Sequence, residues 1–180
     1  PLYPDASQYK IGGAYTQGVT ELGRLRASYG LRYTRVSYQN PAASTWNTPA
    51  SSQSFNDWTW QASALYKLTP AFALHALAGR GFRAPNLNDL GAIGLQDLGY
   101  EVPAREAIPA QALLADSAGE GAISKGQSLQ PLTFERLRNL ETGLRFQSAR
   151  HRARVQFFDA ELSDPIVRRT LLFPTSAVPT

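Results

Sequence analysis

Apolar and polar residues alternate strictly along several segments of the chain. Between Arg24 and Val36 the odd-numbered positions up to Tyr33 are apolar, whereas the even-numbered ones up to Thr34 are small, polar or charged. Successive side chains of a β-strand point to opposite faces, so this period of two predicts a strand with one apolar face and one face that bears three arginines. The apolar positions are Leu25, Ala27, Tyr29, Leu31 and Tyr33.

The same alternation returns five more times, and it predicts six strands in all. Trp58, Trp60 and Tyr66 share one face of the third strand, and Leu140, Leu144 and Phe146 share one face of the fifth. The first strand, with Tyr9, Ile11, Gly13 and Tyr15, is the weakest, and Phe158 interrupts the last one as a β-bulge would. The six predicted strands lie near residues 9–16, 24–38, 57–68, 71–82, 138–147 and 152–164.

The connections between these strands alternate between short and long. Residues 18–23, 69–70 and 148–150 are short connections, whereas residues 39–56 and 83–137 are long. Short turns at one rim and long loops at the other are typical of outer-membrane barrels, in which the long loops face the outside of the cell. The pattern therefore predicts an all-β fold, an antiparallel up-and-down transmembrane β-barrel segment with long extracellular loops.

Aromatic residues lie near the long-loop ends of two strands. Trp58 and Trp60 follow the first long loop, and Tyr33 and Tyr38 precede it. Amphipathic rings favour the headgroup level of a membrane, so these four residues predict an aromatic girdle. The alternative is that they pack in the core of a soluble sandwich. Within the second long loop, Pro109 to Asp116 predicts a short helix, because proline suits a first helical position.

Six strands are too few to close a membrane barrel. Eight is the smallest bacterial size, and an open sheet in lipid leaves backbone groups unpaired at both edges. We therefore expect these strands to be one part of a larger barrel.

Composition excludes several other functions. The chain has 180 residues, no cysteine and two histidines, His75 and His151, which are far apart in sequence. Neither a thiolate site nor a serine nucleophile with a nearby base is present, so we expect no enzyme and no cofactor. The net charge is +4, but no basic patch with interleaved stacking rings occurs, which argues against nucleic-acid binding.

One segment carries a recognisable motif. Residues 79–90 read GRGFRAPNLNDL, and residues 66–70, YKLTP, precede the strand that leads into it. Downstream, residues 139–146 read NLETGLRF. Over roughly residues 57–166 the chain resembles TonB-dependent outer-membrane receptors, whose members carry these motifs in this order.

The resemblance implies a barrel of about 22 strands whose lumen is closed by a plug domain. It implies a place in the bacterial outer membrane with lipid around the wall, and TonB-energised uptake of a scarce nutrient such as a siderophore, a cobalamin-like molecule or an oligosaccharide. The partners would be the protein's own plug, through it the TonB complex, and a small-molecule cargo. The alternative is a passive porin or an adhesin-type barrel, which needs no plug.

Two positions depart from the family pattern. Leu132 stands where the family usually has glutamate after proline, so a rim contact expected there is missing. Haem receptors of the superfamily have a histidine between two sequence boxes, and no histidine lies between residues 86 and 131. An axial imidazole is therefore absent, and haem is disfavoured as the cargo.

Five residues of the long loops are candidate ligand contacts. Trp46 and Tyr100 could stack on a sugar or a chelate, because an exposed loop otherwise needs few large rings. Arg83, Asn86 and Asn88 open the second long loop, where they could contact cargo or, together with Asp89, brace the rim as turn formers.

The polar face raises a similar choice. By parity it holds His75 and five cations, which either attract anionic cargo and plug carboxylates or form a hydrated ladder of ion pairs with Glu141 and its neighbours. The five cations are Arg24, Arg26, Arg32, Lys67 and Arg145.

Overall fold

Six long strands form one antiparallel sheet in a computed structural model of the chain, which describes residues 3–42, 48–96, 99–119 and 121–175. The sheet has the order β1-β2-β3-β4-β9-β10, and β1 and β10 are its open edges. The long strands are β1 (Gln8–Leu22), β2 (Leu25–Asn40), β3 (Ser51–Lys67), β4 (Phe72–Arg83), β9 (Glu135–Gln147) and β10 (Arg152–Ser163).

Short elements fill the connection between β4 and β9. They are α1 (Leu87–Gly91), β5 (Gly94–Gln96), β6 (Gly99–Glu101), α2 (Ala104–Ala107), β7 (Leu113–Ala115) and β8 (Ser124–Ser128), and β11 (Leu171–Leu172) follows β10. β5 pairs with β6, and β7 lies between β8 and β11. No helix among the described residues has the length and apolar character needed to cross a membrane.

The all-β antiparallel fold is confirmed, but the strands are longer than the pattern predicted. β3 begins at Ser51 and β2 ends at Asn40, so the first long connection shrinks from residues 39–56 to residues 41–50. The second shrinks from 83–137 to 84–134. The residues that β3 gains at its start, such as 51–54, are polar on both faces of the sheet. Apolar and polar residues therefore do not alternate there, and the pattern did not reveal the strand end.

Two local predictions were wrong. The helix lies at Ala104–Ala107 rather than over Pro109 to Asp116, where β7 forms instead because it pairs with β8 and β11. Phe158 causes no bulge, since β10 pairs with β9 residue for residue and places Phe158 opposite Glu141.

The strand register gives the sheet one apolar face and one polar face. Residues directly opposite each other in an antiparallel pair share a face, so Tyr33 lies beside Trp58, and their ring centroids are 5.1 Å apart. Four of the five cations that we assigned to the polar face lie in strands on that face, and Arg24 lies in the turn before β2. Each strand contributes charge there, as shown by Glu21, Arg32, Lys67, Arg83, Glu141 and Arg154.

The first strand faces opposite to its apolar pattern. Tyr9, Ile11 and Tyr15 lie opposite Tyr38, Val36 and Arg32, which places them on the polar face. The apolar face of β1 instead carries mostly glycine, alanine and threonine. The Tyr29 ring lies over Gly18, where a Cβ atom would come within 2.6 Å of it.

Counted from the short turns, the first charged residue on the apolar face lies progressively lower from β1 to β10, except that Arg80 and Arg138 are level with each other. Lys10 is level with Ser37 of β2, and Asp159 is level with Tyr29, so the boundary descends eight residues over five strand gaps. At about 3.3 Å per residue and about 4.8 Å per gap, this slope corresponds to a tilt of about 45°. Membrane strands tilt by roughly 35–45°. The first charged residues are Lys10, Arg35, Arg80, Arg138 and Asp159, and β3 has none.

Between this boundary and the short turns, the apolar face of the six strands carries no Asp, Glu, Lys, Arg or His. On β3 the band runs from Trp58 to Leu68, about 33 Å along the chain at 3.3 Å per residue and about 23 Å in height at that tilt. Outer-membrane barrels carry an apolar band about 25 Å tall. Large side chains such as Trp58, Phe157 and Val155 are half or more exposed on this face, so lipid is the solvent that suits it.

Candidate functional site

Among the described residues, most of the deeply buried side chains lie where the β4–β9 connection folds over the polar face, at the long-loop rim. Val36 and Tyr38 of β2 are almost fully buried there, together with Leu90, Ala107 and Ala112. The Tyr9 hydroxyl donates to the carbonyl of Pro85 at 3.1 Å. Gly91 packs so closely on Tyr38 that an added Cβ would lie 2.5 Å from the tyrosine oxygen. We call this region the mouth.

Helix α1 is short and is fixed by its own N-terminus. The Asn86 side chain accepts from the backbone N–H of Asp89 at 3.0 Å, and the Asp89 carboxylate accepts from the backbone N–H of Asn86 at 2.9 Å. This reciprocal capping box satisfies two backbone donors that a helix start would otherwise leave unpaired. Asn86 therefore has a structural role, and Asn88 remains exposed beside it.

Arg83 braces the rim rather than pointing freely into solvent. Its guanidinium lies 2.7 Å from the Asp89 carboxylate and 3.0 Å from the Glu135 carboxylate, so it links α1 to the start of β9. Glu135 also accepts from the backbone N–H of Ile166 at 2.7 Å. That backbone bond, and then Arg83, lower the pKa of Glu135 below its usual range. Between cargo contact and rim bracing, the two alternatives for Arg83 and Asn86, these contacts support rim bracing.

The segment after β10 is tied to the same loop. β11 pairs with β7, Ala115 N–H donates to the Thr170 carbonyl at 3.0 Å, and Arg168 lies 2.9 Å from the Glu101 carboxylate. The hairpin tip beyond β7 is closed by Asp116, whose carboxylate accepts from Ile123 N–H and the Ser117 hydroxyl. These bonds, the one from Ile123 first, lower the pKa of Asp116. The rim is thus a braced structure.

A cluster of buried polar atoms lies under α2 at the mouth. Tyr38 is opposite Gln53 and Asn40 is opposite Ser51 on the polar face, and the Arg105 guanidinium lies next to the Tyr38 hydroxyl. Within the described residues, six buried atoms here have no hydrogen-bond or ion-pair partner, and most can donate. They are Tyr38 Oη, Asn40 Nδ2, Thr48 Oγ1, Ser51 Oγ, Gln53 Oε1 and Nη1 of Arg105.

An unsatisfied buried polar group costs about 1–3 kcal/mol, so water or the oxygens of a ligand are suitable partners for the atoms that lack one among the described residues. Arg105 is partly neutralised by Glu106 at 3.2 Å. The cluster can therefore recognise hydroxyl, carbonyl or carboxylate oxygens without demanding a strongly anionic partner.

Tyr100 is one of the two predicted stacking residues. It lies in β6 opposite Leu95 of β5, and the two side chains are 61% and 82% exposed. A solvent-exposed ring beside an exposed leucine is suited to contact a ligand or a partner. Trp46 falls outside the described residues.

The polar face below the mouth holds a hydrogen-bonded network. Glu141 accepts from Asn139 at 2.9 Å and from Gln156 at 2.7 Å, so the face is polar from β9 to β10. His75 lies over Gly143, where an added Cβ would be 2.6 Å from the imidazole and 2.2 Å from the Val155 carbonyl. An open trough of about 820 Å³ runs along this face. The ion-pair ladder that we weighed against a positive wall is not seen among the described residues. Glu141 bonds to neutral amides, and of the five cations Arg26 alone forms an ion pair, with Glu21 at 3.5 Å.

The pattern missed Arg105 and Asp57 as functional candidates, because only the fold brings them to the mouth and to the seam between β3 and β4. The prediction that Tyr38 belongs to an aromatic girdle was wrong, since Tyr38 lies on the polar face and is buried at the mouth. The even number of Tyr38 could have indicated its position, because the even-numbered residues of β2 form the polar face.

One family model matches the sequence. It is described as TonB dependent receptor-like, beta-barrel, and it covers residues 1–178. No curated protein matches the chain. No solved structure matches it either.

Proposed function

Because the chain belongs to the β-barrel family of TonB-dependent receptors, we propose that it forms part of the wall of a receptor that takes up a scarce nutrient with energy from the TonB complex. This is a family of bacterial outer-membrane transport proteins, not of enzymes. The observation that carries the proposal is that one face of the sheet has an uncharged apolar band, whereas the other face is charged and hydrogen-bonded. The first suits lipid, and the second suits a hydrated lumen that holds a plug.

The proposed cargo is rich in oxygen atoms, as siderophores, cobalamin-like molecules and oligosaccharides are. The support is the donor-rich cluster at the mouth around Tyr38, Asn40 and Arg105, which can bond to acceptor oxygens. Of the five residues predicted from the sequence, we propose that Tyr100, Asn88 and Trp46 touch cargo. Arg83 and Asn86 would act by holding the rim in place.

Growth and binding together test this function. The full-length protein that contains this chain should bind one member of a panel of ferric siderophores, cobalamin and maltodextrins, and growth on limiting amounts of it should require the TonB complex. Growth that continues unchanged after loss of that complex would favour the passive barrel instead.

A variant tests the role of Tyr100. Tyr100→Ala should weaken cargo binding about tenfold, a loss of about 1.4 kcal/mol, because stacking area is removed. Ile123→Ala, at another exposed apolar loop residue, should leave affinity unchanged. Equal affinities for Tyr100→Ala and the parent would remove Tyr100 from the site.

A further inference from the structure

Amide side chains and glycines alternate along one row of the polar face. The row crosses five neighbouring strands from β1 to β9, and its members are directly opposite one another in the strand register. They are Gln17, Gly30, Gln61, Gly79 and Asn139. All five line the open trough of about 820 Å³ on this face, and pockets of about 300–1,000 Å³ are the size that holds a small ligand. We call these residues the amide row.

The trough leads away from the mouth toward the short turns. Its lining includes Tyr9, whose hydroxyl donates to the Pro85 carbonyl at the mouth. Asn139 lies one residue past the charged boundary of its strand in the direction of the short turns, whereas Gln17 lies seven residues past the boundary of its own. This difference of six residues, at about 3.3 Å per residue and a tilt of about 45°, places Gln17 about 14 Å closer to the short-turn rim. The amide row therefore descends along the wall.

Two glycines of the trough are not required by the packing of the sheet. A Cβ atom at Gly81 would meet no atom within 4 Å, and one at Gly30 would meet nothing closer than 3.7 Å. Neither residue has a positive φ. Glycine weakens the interior of a strand, and it often marks a place where a ligand or another backbone comes close. The absence of side chains at these two positions therefore keeps the trough open.

We infer that the trough is the path by which cargo moves down the wall from the mouth, and that Gln61 and Gln17 bind it in turn. The path presupposes the proposed uptake function, on which this inference rests. Amide groups both donate and accept, so they suit the same cargo oxygens as the cluster at the mouth. Because they carry no charge, they bind weakly enough to release the cargo to the next site, as conduction requires. Tyr15, which is 74% exposed two residues from Gln17, offers a ring for stacking.

The test measures surface binding and uptake separately in cells that produce the full-length protein. The probes are ferric citrate, ferrichrome, cobalamin and maltoheptaose, and the one that the parent binds is followed. Gly30→Leu/Gly81→Leu fills the trough, so it should leave surface binding unchanged and slow uptake at least about tenfold. The matched control is Gly12→Leu, whose Cβ also meets no atom within 4 Å but lies on the apolar face. It should take up the probe at the parent's rate.

A second double variant removes the amides without filling the trough. Gln17→Leu/Gln61→Leu should slow uptake about tenfold, as the loss of two ordinary hydrogen bonds predicts, again with unchanged surface binding. Both glutamines are exposed, so this variant tests the path even if the leucines at Gly30 and Gly81 impair folding.

Sensitivity to vancomycin, which is too large to cross an intact outer membrane, distinguishes cargo from plug as the occupant of the trough. Leucines that displaced the plug would open the lumen and sensitise the cells, and that result would overturn the inference. Uptake at the parent's rate by both double variants, with normal amounts of folded barrel, would overturn it as well. If the parent binds none of the four probes, the proposed function itself fails, and the inference fails with it.

Discussion

The carboxylate of Asp57 accepts a hydrogen bond from Arg80 although the two residues lie on strands that have already separated. The pairing of β3 with β4 ends at Trp60 and Arg80, whereas β3 runs on to Ser51. Asp57 also accepts from the backbone N–H of Trp58 at 2.8 Å. Its carboxylate therefore provides a hydrogen-bond acceptor for a backbone N–H of β3 beyond the point where pairing with β4 ends.

Loss of this carboxylate should loosen the seam. Asp57→Asn keeps an acceptor for Trp58 N–H but removes the charge that holds Arg80 and Arg136. Because the Arg80 side chain is one-third exposed, we expect a loss of only about 1 kcal/mol in unfolding free energy. Amide hydrogen exchange at residues 57–60 and 80–83 should also accelerate.

The matched control for the seam is Glu21→Gln. Glu21 pairs with Arg26 at 3.5 Å, and both side chains are more than 60% exposed. Its removal should change the unfolding free energy by less than about 0.5 kcal/mol. If both variants behave alike, Asp57 has no special role.

Gly143→Ala should prevent normal pairing of β9 with β10. The added methyl group would lie 2.2 Å from the Val155 carbonyl oxygen, which is part of the backbone and cannot move away as a side chain could. We expect destabilisation of more than about 2 kcal/mol, seen as a smaller fraction of heat-resistant folded barrel in isolated outer membranes. Gly12→Ala, with no atom within 4 Å of the new Cβ, is the control, and an equal loss there would contradict the argument.

Arg83→Gln should release the rim while leaving the sheet intact. Two ion pairs, to Asp89 and Glu135, are lost together. Limited proteolysis within residues 84–134 should become several-fold faster, with unchanged stability of the barrel. Lys125→Gln alters an exposed cation of the same loop and should have no effect. Unchanged cleavage in Arg83→Gln would show that the brace is unimportant.

Acid should release the same brace. The pKa of Glu135 is lower in the folded chain than its ordinary value of 4.5, so its contribution is complete above pH 4.5 and is lost as pH falls through the folded pKa. Proteolysis of residues 84–134 by an acid-active protease should rise in the parent as the pH falls below 4.5 and through the lowered pKa of Glu135. Glu135→Gln should be cleaved rapidly at every pH, and a parallel pH profile for the two proteins would contradict this.

The sequence predicted the strands wherever the two faces differed in polarity. From Leu25 to Tyr33 each apolar residue stands between small, polar or charged ones. The alternation therefore predicted both the strand and the face on which each side chain lies. At the long-loop ends the contrast disappears, as at Ser37 opposite Ser54, and the strand ends were missed. On β1 the rings of Tyr9 and Tyr15 suggested an apolar face, but pairing with β2 places them on the polar side.

The site was harder to predict than the sheet. The choice between rim bracing and ligand contact for Arg83 could be posed from its neighbours in sequence, but Glu135 lies 52 positions away and enters only through pairing. Strands of two to five residues, such as β7, are too short to show a period. The contact between Asp57 and Arg136 likewise depends on the register between strands that are distant in sequence. No local sequence pattern predicts that register.

The most direct test of the account is nitroxide scanning of β3 in the full-length protein within a lipid bilayer. This chain has no cysteine of its own, so single cysteines at residues 58–66 can be labelled one by one. Collision with oxygen, which concentrates in lipid, should peak at Trp58, Trp60, Ala62, Ala64 and Tyr66, and fall at the odd positions between them. A water-soluble relaxation reagent that reaches Ala62 and Ala64 more readily than Gln61 and Ser63 would contradict the account.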